Sequence, residues 1–153
     1  MVRQHASVYQ RSNGRLIVAS LSRTAAGFGI LNDSMQGAAA DIEDSRLGVL
    51  VLEMMNASGL LPTPSPADYP LPQYRRLLAL AGARSHKAFH TDCLSVDVYA
   101  APDAEATSVV VVPTRNLGAK GGFEANRDLE ERTSMADPAA LGAAVRRGLA
   151  RSE

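Results

Sequence analysis

The sequence has no tryptophan, a single cysteine, few aromatic residues and no surplus of either charge, and each shortage closes off a class of protein. One cysteine, Cys93, cannot make an internal disulfide, which removes the stapled secreted scaffolds and agrees with a reducing compartment. Sixteen basic and sixteen acidic residues give a formal net charge of +0, so no global field holds a polyanion. A nucleic-acid or membrane-surface role would need a local patch, and none is legible: the only lysines are Lys87 and Lys120, and the arginines are spread along the chain. The longest apolar run, from Gly48 to Met55, is broken by Glu53 and falls well short of the roughly 20 residues that cross a bilayer. The opening residues Met1 to Ser7 carry a positive charge without the apolar stretch of a signal peptide. The expected compartment is the cytoplasm, with no membrane partner and no direct nucleic-acid partner. Neither Gly-x-Ser-x-Gly nor His-Glu-x-x-His occurs.

What is present is a doubled pattern. With 153 residues, 46% hydrophobic and 21% charged, the chain has the size and composition of one globular domain, 1–153. The apolar run Leu16-Ile17-Val18-Ala19 leads to Ser22-Arg23-Thr24 and Gly27-Phe28-Gly29. A second run, Val109-Val110-Val111-Val112, leads to Thr114-Arg115-Asn116 and Gly121-Gly122-Phe123. Leu47-Gly48-x-x-Val51 then recurs as Leu141-Gly142-x-x-Val145, and Ser58 as Ser152, each 94 positions on. A recurrence of this length is the mark of one supersecondary unit used twice.

Local signals give the elements. Ala6 to Gln10 and Arg15 to Ser20 are β-rich and flank Asn13-Gly14, a dipeptide suited to a tight hairpin turn. Gly27 to Leu31 reads as a third strand with Phe28 and Ile30 on one face. A helix follows, with Asp41 or Asp44 as cap, Leu47, Leu50, Val51, Met54 and Met55 at helical spacing, and Gly59 at its end. Prolines from Pro62 to Pro72 make an extended linker, since each fixes φ and removes a donor. Helices are expected over Gln73 to Ala81 and around Ser85 to Phe89, with Ser85 as cap. The second unit opens with the alternating strand Leu94 to Tyr99, turns at Pro102 to Glu105, returns over Ser108 to Val112, and closes with a helix capped by Asp137 and started by Pro138. The resulting fold class is α+β: two tandem β-β-β-α units, about 5–59 and 94–152, related by a pseudo-twofold. A Pro-rich linker and a short helical connector, 60–93, join them, and the sheet is mainly antiparallel.

Candidate chemistry is sparse. Arg23 and Arg115 sit at the exits of apolar strands. They suit an anion clamp, or they hold a turn carbonyl or a carboxylate of their own unit, and their occurrence in both units favours the second reading. Phe28 and Phe123 read as equivalent core anchors. His86, His90 and Cys93 lie close together, but without a second cysteine or an adjacent glutamate they define neither a metal site nor a nucleophile. Gly118-Ala119-Lys120-Gly121-Gly122 lacks the spacing of a phosphate loop and opens no predicted helix. No cofactor is implied. The segment Glu124 to Arg132 has no counterpart pattern in the first unit and reads as a charged loop.

The doubled Ser22-to-Ile30 and Val112-to-Phe123 motifs, with Ala140-Leu141-Gly142-Ala143-Ala144-Val145-Arg146-Arg147-Gly148-Leu149 closing the chain, resemble immunity proteins of bacterial contact-dependent growth inhibition systems. The resemblance spans nearly the whole chain and departs from the family pattern in the proline-rich run and in the charged residues from Asn126 to Arg132. It implies a small, cytosolic, non-enzymatic protein that binds one-to-one the C-terminal toxin domain of an exoprotein, often a nuclease, and neutralises it. Partner contacts are then expected from Glu124, Arg127, Asp128, Glu130, Glu131 and Arg132, because discrimination among toxins is written where the shared scaffold is not. The alternative is a small cytosolic enzyme using Arg23, Arg115 and His90 in a cleft between the units.

Overall fold

A computed structural model describes residues 3–101 and 107–153. In chain order the elements are β1 (His5–Gln10), β2 (Leu16–Thr24), β3 (Gly29–Ala38), α1 (Asp44–Asn56), β4 (Leu60–Leu61), α2 (Pro72–Ala81), α3 (His86–Thr91) and β5 (Leu94–Ala100). They continue with β6 (Ser108–Asn116), α4 (Gly118–Gly121), β7 (Phe123–Ala125), β8 (Glu131–Ser134) and α5 (Pro138–Arg151). The turn expected at Pro102 to Glu105 lies outside the described residues.

The strands form one mostly antiparallel, eight-stranded sheet in the order β3-β2-β1-β5-β6-β7, with β8 also on β6 and β4 parallel to β2. The first strands of the two units, β1 and β5, pair antiparallel at the centre, with Val8 opposite Val96 and Ser7 opposite Asp97. Side chains alternate across a strand. Ala6, Val8, Leu16, Val18, Val96, Val98, Val109 and Val111 therefore face α1 and α5 in one core. Tyr9, Ile17 and Ala19 face the other way, against Leu77 and Ala81 of α2 and Phe89 of α3. With β2 covered on both faces, Leu16-Ile17-Val18-Ala19 is a continuous apolar run, the pattern of a strand buried on both sides.

The sequence expectations hold for the class and the order of elements, and fail at particular places. The Asn13-Gly14 turn is a five-residue loop, because only Gly14 takes a positive φ, 83°, whereas a two-residue turn of the primed type needs positive φ at both centres. The N-cap of α1 is Glu43, with no side-chain cap bond, and the helix ends at Asn56, before Gly59. Ser85 and Asp137 do cap their helices, accepting from Ala88 N and Ala140 N. Gly118 to Gly121, expected to open no helix, forms the single turn α4.

The repeat itself is real but shifted from its most visible echoes. Leu16 and Val18 share a face with Val109 and Val111, so the equivalent of Arg23 on β6 is Asn116 and not Arg115. Arg23 pairs with Gly29, and Asn116 with Phe123, so Phe123 stands where Gly29 stands. Phe28 precedes the strand and is 44% exposed, which overturns its reading as a core anchor equivalent to Phe123. The segment 124–132 is likewise no loop without a counterpart. It runs through β7, a 3-10 turn at Arg127–Leu129 and the start of β8. Both short strands pair with β6 as β3 pairs with β2, and the break between them corresponds to the irregularity in β3 opposite Ser20.

Where α1 crosses α5 the offset is faithful. A Cβ on Gly48 would lie 1.8 Å from Pro138 O, and one on Gly142 would lie 1.9 Å from Asp44 O. These are the same contact made twice across the pseudo-twofold, backbone against backbone. Arg146 fastens the crossing by donating from Nε to Asp44 Oδ1 at 2.8 Å, and from its other nitrogens to the carbonyls of Ala40 and Ile42. In an exposed helix interior Gly→Ala adds up to about 1 kcal/mol of stability. Here overpacking reverses the sign: Gly48→Ala and Gly142→Ala are each expected to destabilise by about 1–3 kcal/mol or more in urea unfolding. A gain in stability would show that the helices can part without cost.

Candidate functional site

α2 and α3 cover only part of the sheet face opposite α1 and α5. Beyond them, His5 and Ser7 of β1, Leu21 and Arg23 of β2, and Asp97 and Tyr99 of β5 lie on the same face. Asp97 is the fixed point there. Ser7 Oγ donates to its Oδ1 at 2.7 Å, Tyr99 Oη donates to its Oδ2 at 3.4 Å, and His5 Nε2 lies 3.5 Å from Oδ1. The His5 and Tyr99 rings stack at 4.2 Å, and the Arg3 guanidinium lies 4.6 Å from the centre of the Tyr99 ring. Burial, followed by the Asp97 charge, pushes the Tyr99 phenol up to about 12. It therefore stays a protonated donor across the physiological range. A cavity of about 380 Å³ opens here, lined by Arg3, His5, Arg23, Tyr99 and Arg127 among others.

The sequence-predicted partner residues lie along the adjoining edge of the sheet. Glu124 on β7, Arg127 and Asp128 on the 3-10 turn, Glu130 and Arg132 are exposed. Glu131 differs from them. It is partly covered and accepts from Arg147 Nη2 at 2.5 Å and Nε at 3.2 Å, and this bidentate pair holds its carboxyl below the usual range. That ties Glu131 to α5. Arg127 lies 5.9 Å from the Tyr99 ring centre and so links the edge to the cavity, a connection that the sequence spacing does not reveal.

The residues of the enzyme alternative do not converge. Arg23 lies on the open face, where its Nε donates to Gly27 O at 3.2 Å. Arg115 is one residue out of equivalence, on the helix-packed face by strand alternation, and pairs with Glu153 at 3.4 Å. Each arginine thus holds a group of its own unit. His90 lies beside a third region, a cavity of about 370 Å³ under α2 and α3 with Tyr74, His86, Phe123 and Lys120. Its Nδ1 is 2.8 Å from His86 O, the backbone contact of its own helical turn. Asn116 braces the spot, donating from Nδ2 to His90 O at 2.6 Å and Cys93 O at 2.9 Å while its Oδ1 accepts from Gly118 N. Among the described residues no group of three or more His, Cys, Asp or Glu is placed to hold a metal ion.

Cys93 is 2% exposed, and burial pushes its thiol up to about 12. The thiolate is the reactive form, so labelling of the native protein by a disulfide reagent at pH 8 should be on the order of 100-fold slower than in urea. Comparable rates in the two states would restore Cys93 as a candidate nucleophile.

No protein-family model matches the chain, and no curated protein sequence matches it. Solved structures do. A protein of unknown function from Neisseria meningitidis superposes with a TM-score of 0.76 at 18% identity, over 99% of this chain and 96% of that one. A chain of the CdiA-CT/CdiI toxin and immunity complex from Yersinia pseudotuberculosis superposes with a TM-score of 0.74 at 19% identity, over 100% of this chain and 98% of that one. The fold of this chain is therefore shared, end to end, with a component of a toxin and immunity complex.

Proposed function

We propose that this protein is an immunity protein of a contact-dependent growth inhibition system: it binds the C-terminal toxin domain of an exoprotein one-to-one and neutralises it in the cytoplasm. The observation that carries this reading is the full-length likeness to a chain of a toxin and immunity complex. The disposition of the reactive groups favours the immunity side of such a pair. Cys93 is buried, His90 faces the backbone of its own helix, and Arg23 and Arg115 lie on opposite faces of the sheet. A protein that works by stoichiometric binding needs a rigid surface in place of a reacting centre. No helix among the described residues is long and apolar enough to cross a membrane, so nothing there stands in the way of a freely diffusing complex.

The binding surface in this reading includes the sheet edge with Glu124, Arg127, Asp128, Glu130 and Arg132, while Glu131 steadies it through Arg147. Against a nuclease with a basic groove, the three exposed acids speed association and fix register. The experiment begins with the neighbouring genes: a large exoprotein encoded immediately upstream is expected, its absence would count against the reading, and its C-terminal domain is then co-expressed with this protein. A one-to-one complex by light scattering and loss of toxicity are expected. Turnover of RNA, DNA or a simple ester by the isolated protein, abolished by His90→Ala or Arg23→Ala, would overturn the reading in favour of an enzyme. Within the complex, the triple change Glu124→Lys, Asp128→Lys and Glu130→Lys should weaken affinity by about tenfold or more and flatten its salt dependence. Unchanged affinity at both low and high salt would move the interface off this edge.

A further inference from the structure

The open half of the sheet face gathers three arginines that have no carboxylate within ion-pair distance among the described residues: Arg3, Arg23 and Arg127. Arg11, Arg115, Arg146 and Arg147, by contrast, are each paired with an acid. Arg3 and Arg23 are each held through Nε, to Ala100 O and Gly27 O, both at 3.2 Å. Fixing a guanidinium through Nε leaves its two Nη groups, the forked edge that matches a carboxylate, for another acceptor. Arg3 and Arg127 both approach the Tyr99 ring, at 4.6 and 5.9 Å from its centre. Asp97, which adjoins the cavity behind His5 and Tyr99, is already engaged by Ser7, Tyr99 and His5. Three like charges around one cavity of about 380 Å³ repel one another until an anion enters.

We propose that this cavity receives an acidic segment of a protein partner, with an aspartate or glutamate carboxylate seated among Arg3, Arg23 and Arg127. The size of the cavity, about 380 Å³, suits a single side chain. The charges around it favour a protein over a nucleic acid. Arg127 is followed directly by Asp128, with Glu124 and Glu130 exposed on the same edge, and these acids repel a continuous run of phosphates while they complement a surface of both signs. The proposal rests on the immunity reading only for the identity of the partner.

The test separates the two ideas. The ¹⁵N-labelled protein is titrated with a short peptide carrying one glutamate flanked by lysines and, in parallel at equal salt, with an oligothymidylate and with inorganic phosphate. The expected result is saturable movement of the Tyr99 amide and the arginine Nε–H signals with the peptide alone, weakened about tenfold or more in Arg23→Gln/Arg127→Gln. Both arginines are exposed, so this variant should keep its circular dichroism spectrum, and Arg3→Gln serves as a second variant that leaves the Arg23–Gly27 turn untouched. No saturable movement with the peptide, or equal movement with oligothymidylate or phosphate, would overturn the proposal. A protein that binds the glutamate peptide yet ignores the toxin domain keeps the cavity and loses the immunity reading. The converse outcome keeps the immunity reading and loses the cavity.

Discussion

Two glycines without side chains set the geometry of this protein. Because Gly48 meets the carbonyl of Pro138 and Gly142 meets that of Asp44, α1 and α5 cross at backbone distance. The central β1–β5 pairing, which among the described residues is the only ladder joining the two halves of the sheet, lies under this crossing. Both repeat helices are then committed to one face. The opposite face has no repeat helix to cover it, and the connector supplies only α2 and α3, packed on Tyr9, Ile17 and Ala19. The other half is left open, and the arginine-lined cavity lies there.

How much of this was legible in the sequence depends on where each signal came from. The helix echoes were reliable because the crossing tolerates no change of offset: Leu47 and Leu141, Gly48 and Gly142 answer to one constraint. The strand echoes misled because they straddle turns of different length, 25–28 and 117–122, and do not follow the ladder: the arginine and Gly-Phe repeats slip by a residue in opposite directions from the register set by the Arg23–Gly29 and Asn116–Phe123 pairs. A slip of one turns a side chain to the other face. Arg23 and Arg115 consequently part company, and Phe28 is left in solvent while Phe123 packs beside Tyr9 and His90. The cavity gave no local signal. Arg3, Arg23, Tyr99 and Arg127 lie far apart in the chain and meet through the β1–β2 and β1–β5 ladders and, for Arg127, through the pairing of β6 with β5 and β7.

Polar side chains lock the irregular places. The Asn32 amide lies within hydrogen-bond distance of Ser20 Oγ, Ser22 Oγ and Ala57 O, which binds the irregular middle of β3 to its neighbour and to the end of α1. Asn116 does the corresponding work for α3, β5 and the turn into α4. Buried polar groups that are fully paired specify one arrangement, because any other leaves them unpaired in a low dielectric. A surface held in this way is already ordered before anything meets it.

The split outer edge has a consequence for how such a protein changes over generations. β3 is continuous, so an inserted residue there must be absorbed by the ladder or expelled as a bulge. Between β7 and β8 the chain leaves the ladder at Ala125 and rejoins it at Glu131, and the pairing on either side with β6 is independent of the length in between. Residues can be gained, lost or exchanged in that gap without disturbing the register of either strand or the crossing of the helices. One copy of the unit thus holds its third strand as a single run, and the other has a window in which the sequence can change.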